Sequence, residues 1–188
     1  FLAMAVSTTV YTHLDTVMLG FMTTDTDVGY YNAAVKIKNV LVSIVTSLGV
    51  VFLPRASYYV ETTRMKDFKT ISSKALDFVM VAAIPVTVYF IYFARQGIML
   101  LSGEAYMGSI QPMQILMPTI IFIGITNILG IQILVPLGKE RAVLHSEIVG
   151  AVVDLVLNFL LIPKYAASGA AIGTLVAELA VLIYQMAV

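Results

Sequence analysis

The sequence predicts an all-α fold, a polytopic membrane bundle of six transmembrane helices, and three observations predict it. Of its 188 residues, 60% are apolar and only 12% charged, more greasy surface than a soluble domain of this size needs. The apolar residues gather into six runs, each long enough to cross a hydrocarbon core of about 30 Å with roughly 20 helical residues. Lipid offers backbone N–H and C=O groups no partner, and the runs far exceed the roughly ten residues of a barrel strand, so helices are the remaining solution.

The runs cover residues 1–22, 28–59, 74–94, 113–137, 142–162 and 166–188 and are read as a single six-helix transmembrane lobe. The chain opens on Phe1 without a cleavable leader pattern, and both ends fall inside apolar runs. It is therefore expected to be a fragment whose N-terminal helices lie in the missing part of the same protein. Trp is absent, so Tyr30, Tyr31, Tyr58, Tyr59, Tyr92, Tyr106 and Tyr165, near the expected helix ends, take the interfacial aromatic role. With no Cys and a formal net charge of zero, disulfides, thiolate metal sites and a nucleic-acid partner are set aside; no cofactor is expected, and the lipid bilayer is the expected surrounding.

Charge sets the orientation. The second-to-third connection carries Arg55, Arg64, Lys66, Lys69 and Lys74, and the fourth-to-fifth adds Lys139 and Arg141. The opposite side has Arg95 and Lys164 and an acidic first loop, TTDTDVG. The positive-inside rule then puts the even-numbered loops, and both chain ends, in the cytoplasm. The third-to-fourth connection, Arg95 to Pro112, suits a short segment in the outer interface. Pro54, Pro85, Pro118 and Pro136 mark points where a helix can bend.

Ionisable residues inside the membrane are expensive, about 2.5–3.5 kcal/mol each at mid-span on insertion scales, and so usually face a protein interior or a wet cavity. In the first run Thr8, Thr12 and Asp15 lie along one side. In the second, Asn32, Lys36, Asn39, Ser43 and Thr46 recur every three or four residues and draw one polar stripe, the candidate wall of a substrate cavity. About 12 Å along the helix axis, Lys36 would make that wall cationic; Lys38, roughly 200° further round, is expected to snorkel to the interface.

In the fifth run Glu147, Ala151, Asp154 and Asn158 share a face, with Asp154 near mid-span, while Glu178 interrupts the small, apolar sixth run. Asp15, Asp154 and Glu178 are candidates for proton or ion coupling. Asp154 could also pair with Lys36, or serve packing as a neutral acid. Gly169, Gly173 and Ala177, four apart, form a small-residue ridge that lets another helix approach. His13 and Asp15 point away from each other, as do His145 and Glu147, so no catalytic set emerges and no enzyme is expected.

Five patterns in order along the chain carry a resemblance: YTHLDTVMLG, VGYYNAAVKI, FLPRAS, VPLGKER and LNFLLIPKYAASGAAIGTLVAE. Together they resemble the Wzx-type oligosaccharide and polysaccharide flippases of the MATE-like exporter superfamily. The resemblance implies the C-terminal six-helix lobe of a MATE-like transporter fold, half of a two-lobe protein with a central cavity. It implies flipping of an undecaprenyl-diphosphate-linked oligosaccharide repeat unit across the bacterial inner membrane, for surface polysaccharide assembly. A cation-coupled multidrug exporter of the MATE type is the alternative. Asp15, Lys36 and Asn158 fall within the matching patterns, and Ala166 stands where such proteins often have Gly.

Overall fold

The computed structural model describes residues 14–47 and 49–188. Thr8, Thr12 and His13 lie outside them. The described residues are almost wholly helical. Helix α1 is described over residues 14–22, and α2 (Asp25–Thr46) opens on Thr24, whose side chain accepts from the backbone of Asp27 while Asp27 answers to Thr24, a capping box. Helix α3 (Gly49–Glu61) leads to α4 (Met65–Tyr92), a short α5 (Ala94–Leu101) and a 3-10 segment, Glu104–Ser109. Helices α6 (Ile110–Leu116) and α7 (Thr119–Thr126) follow, then a π-helical segment, Asn127–Leu134, and α8 (Glu140–Ala187).

Helix α8 is a hairpin rather than one rod. At Ala166 the backbone turns to φ 46° and ψ −126°, and the two halves run back along each other: Gln185 Nε2 donates to Ser146 Oγ at 3.0 Å. The ridge of Gly169, Gly173 and Ala177 faces the first half. A Cβ on Gly169 would lie 2.5 Å from the carbonyl oxygen of Leu161, and one on Gly173 would lie 2.3 Å from Asn158 Oδ1. Backbones this close require residues without side chains.

The run expected as one helix over 28–59 divides into α2 and α3, with 44° between the axis of Asp25–Thr46 and that of Val51–Glu61. Ser43, Thr46 and Ser47 turn their hydroxyls onto the carbonyls of Asn39, Val42 and Ile44, a local competition that bends helices. Gly49 opens α3 beyond the break, and a Cβ there would lie 2.4 Å from Gln132 Nε2, so the chain passes this close only without a side chain. The fourth run also bends, by 48° between Leu116 and Thr119, where Pro118 supplies no N–H. Thr119 and Thr87 hydroxyls bond the carbonyls of Leu116 and Met117 at 2.6 and 3.3 Å, which is how a proline break survives away from water. Pro85 leaves α4 continuous.

Helix α4 begins at Met65, ahead of the apolar run, because Phe68, Ile71, Ala75, Val79 and Ala83 keep one buried stripe at helical spacing. Helix α4 and the α8 hairpin are apolar and long enough to cross a membrane, as are the bent pairs α2–α3 and α6–α7 with their flanking turns. Their outer faces stay apolar: Val81, Phe159, Leu160 and Met186 are exposed, as lipid-facing residues are. Short α5 buries only Ala94 and Ile98 and does not span. Tyr30 meets Tyr106 edge-on, so the acidic first loop and the 3-10 segment share one end of the bundle. Lys139 Nζ donates to the Val188 carbonyl at 2.8 Å, joining the fourth-to-fifth connection to the end of α8.

Candidate functional site

Five polar side chains from three parts of the fold meet in the bundle interior. Asp15 comes from α1, Tyr31 from α2, Asp154 and Asn158 from successive turns of the first half of α8, and Thr174 from its second half. Asp15 is 4% exposed, Asp154 1% and Asn158 0%. Buried carboxylates are tolerated only with hydrogen-bonding partners, and Asp15 has several. Tyr31 Oη donates to Asp15 Oδ2, Thr174 Oγ1 lies 3.0 Å from the same oxygen, and Asn158 Nδ2 donates to Asp15 Oδ1 at 2.6 Å.

Asn158 is the hinge of this network. Its amide nitrogen also lies 3.1 Å from Asp154 Oδ2, so its two protons serve two carboxylates. Thr174 ties the hairpin to α2, with Oγ1 2.9 Å from Tyr31 Oη and 3.0 Å from the Ala170 carbonyl. Asp154 Oδ1 and Asn158 Oδ1 are buried acceptors without a hydrogen-bond partner among the described residues. Gly173 faces both, and its missing Cβ is what lets them fit.

Beside the network lies a cavity of about 330 Å³, whose walls include Asp15, Tyr31, Lys38, Glu147, Glu178 and Gln185. Lys38 is 7% exposed and within electrostatic reach of Glu178, Asp15 and Asp154. Acids thus outnumber bases around this space, which favours a cation or a proton over an anion. Among the described residues, no group of three or more His, Asp and Glu is placed to hold a metal ion.

The structure distributes the expected site residues differently from the sequence reading. Asp15 and Asp154 come together, with Glu178 on the wall of the adjoining cavity. Lys36 does not pair with Asp154: it is exposed and lines a separate groove of about 300 Å³ with Asn32, Ser102 and Tyr106. Lys38, expected to snorkel, is the buried lysine, because the two point in nearly opposite directions from α2 and only one can face the α8 hairpin. Of the stripe, Asn32 accepts from Thr16 Oγ1 at 3.1 Å, and Ser43 and Thr46 spend their hydroxyls on their own helix. Asn39 alone of the five also lines the acidic cavity.

Tyr31, expected at the interface, is 2% exposed, because its phenol is drawn to Asp15. Two signals in the sequence point to the missed members. Tyr31 and Lys38 are seven residues apart, two turns on one helix face, and Thr174 and Glu178 are four apart.

Comparison with known proteins adds relatives. The family described as "Polysaccharide biosynthesis protein" matches residues 1–60. A Shigella dysenteriae protein that carries the name of an O-antigen transporter is 27% identical over 99% of this chain and 46% of its own length. A Haloferax volcanii protein that carries the name of a flippase, AglR, is 25% identical over 88% of this chain and 35% of its own. The chain therefore spans less than half the length of these relatives. Among solved structures, an outward-facing multidrug resistance MATE family transporter of the MOP superfamily superposes with a TM-score of 0.86. That match has 14% identity and covers 97% of this chain and 41% of that one, so the fold is that of one lobe of such a transporter.

Proposed function

We propose, for a chain that is a relative of the Wzx-type flippases of the MATE-like superfamily, that the intact protein flips lipid-linked oligosaccharide. The cargo in this reading is an undecaprenyl-diphosphate-linked repeat unit, carried from the cytoplasmic to the outer leaflet of the bacterial inner membrane for surface polysaccharide assembly. The observation that supports it most is the alignment of nearly the whole chain with a protein named for O-antigen transport.

The physical task fits a two-lobe carrier. A sugar-diphosphate headgroup cannot enter about 30 Å of hydrocarbon, so it needs a polar passage that opens to each side in turn. In this reading a second lobe packs against the exposed polar face of α2, and Asn32, Lys36 and Asn39 line the passage. Lys36 offers positive charge to the diphosphate. Asp15, Asp154 and Glu178, set back behind that face, couple the motion to a proton or ion. The bends at Pro118 and at the α2–α3 junction are the points about which such segments flex. The basic α3–α4 connection and both chain ends lie on the cytoplasmic side.

A second reading, a cation-coupled multidrug exporter, draws on the acidic cavity and on the likeness of the fold to a multidrug resistance transporter. One experiment separates the two. The intact protein is reconstituted in vesicles with a fluorescent lipid-linked oligosaccharide or a cationic dye. The flippase reading expects the oligosaccharide to become protected from an external reagent, with Lys36→Ala losing most of that transfer at unchanged expression. Efflux of the dye without transfer of the oligosaccharide would overturn it in favour of the exporter. Normal transfer by Lys36→Ala would remove Lys36 from the cargo's path.

A further inference from the structure

We propose that the groove along α2 at Lys36 holds the junction of the cargo, with the diphosphate at Lys36 and the adjoining isoprene units of the polyprenyl chain between α2, α4 and α5. This placement rests on the flippase reading and adds to it where the apolar half of the cargo lies.

The first observation is the shape of the groove. Its polar part, with Asn32, Ser102 and Tyr106, does not end at Lys36. A second hollow of about 320 Å³ adjoins it, shares Lys36, Leu101 and Ser102 as wall, and runs on past Val40 to Phe90. The groove therefore changes from polar to apolar at one lysine. Along α2 it extends from Gly29 to Leu41, about 18 Å at 1.5 Å per residue.

The second observation is charge. Among the described residues, Lys36 is the one charged side chain on the walls of both parts, the reverse of the acid-rich cavity around Lys38. Lys36, Ser102, Tyr106 and the Asn32 amide all carry donors, and donors with no carboxylate among them select an anion such as a phosphate. Val40, one turn beyond Lys36 on the same face, and Leu101 on α5 are 63% and 61% exposed. Bare apolar lips beside a cation match an amphiphile with an anionic end, whose methylenes gain by being covered.

The cargo's own task selects the occupant. Its head crosses in a polar passage while its chain stays in hydrocarbon, so the passage wall needs an apolar outlet beside the group that holds the phosphates. In the flippase reading the α2 face with Asn32 and Lys36 lines that passage, which favours the cargo's chain over a bilayer phospholipid.

The test uses the intact protein in vesicles and a polyprenyl-diphosphate oligosaccharide with a photoreactive diazirine on the isoprene next to the diphosphate. Labelling is expected on the peptides that contain Val40, Phe90 or Leu101. It should be lost in Lys36→Ala and be competed by unlabelled cargo but not by phosphatidylglycerol. Val40→Trp fills the apolar part from an exposed position. It is expected to slow transfer of the full-length cargo about tenfold, the effect of displacing roughly two methylenes, and to leave a short-chain analogue with the same head unaffected. Labelling confined to other helices, competition by phosphatidylglycerol, or equal rates for both cargoes in Val40→Trp would overturn the proposal. With wild type still moving the oligosaccharide, those results leave the flippase reading standing; no transfer by wild type would overturn that reading and this placement with it.

Discussion

Gly173→Ala tests the packing on which the buried network depends. The new Cβ would lie 2.3 Å from Asn158 Oδ1 and 3.2 Å from Asp154 Oδ1, so the Asn158 side chain or the whole second half of α8 must move by about 1 Å. Asn158 cannot move that far and keep both its 2.6 Å contact to Asp15 and its 3.1 Å contact to Asp154, since hydrogen bonds fail beyond about 3.5 Å. Losing one bond to a charged group costs about 1.5–3 kcal/mol, and overpacking adds about 1–3 kcal/mol. A loss of about 3 kcal/mol is the conservative sum, large against total stabilities of about 5–15 kcal/mol. In a thermal scan of the intact protein the midpoint should fall by about 3–6 °C. Gly20→Ala is the control, because a Cβ there meets nothing within 4 Å and Ala favours the helix by about 1 kcal/mol. If the two variants melt together, the hairpin is not held as tightly as described and the reasoning fails.

Two further substitutions probe single features. Ala166 has φ 46° and ψ −126°, a region that L side chains rarely adopt and that costs about 1–3 kcal/mol. Ala166→Gly relieves that strain at a cost of about 0.5–1 kcal/mol in chain entropy, so it should raise the midpoint by a few degrees; a lower midpoint would contradict the turn geometry. Tyr31→Phe keeps the ring and deletes the donor to Asp15, and should cost about 2 kcal/mol in denaturant or heat. A variant as stable as wild type would show that Asp15 does not depend on the phenol.

Much of this is legible in the sequence because membranes constrain so strongly. Apolar length alone implies helices, and the expense of an intramembrane carboxylate singles out Asp15, Asp154 and Glu178. What escapes is the choice between residues that a single helix treats alike. Lys36 and Lys38 are both lysines at similar depth, and only the position of the α8 hairpin decides which one is covered. The polar stripe on α2 has the spacing of one wall, yet Ser43 and Thr46 satisfy themselves within their own helix, a bond the spacing does not reveal. Proline positions mark the places where bending is possible, but Pro118 bends and Pro85 does not. The difference lies in partners such as Thr87, which is 30 residues from the carbonyl it serves. The need for glycine at position 49 likewise comes from Gln132, a residue far away in the sequence.

The central claim is that a buried pair of carboxylates, joined through Asn158, serves transport by a membrane carrier. Its most direct test is the rate at which reconstituted protein moves lipid-linked oligosaccharide under an imposed ion gradient, wild type against Asp15→Asn. The account predicts that the variant, folded and inserted, loses the acceleration that the gradient gives to wild type. A variant that moves cargo as fast as wild type and responds equally to the gradient would contradict it.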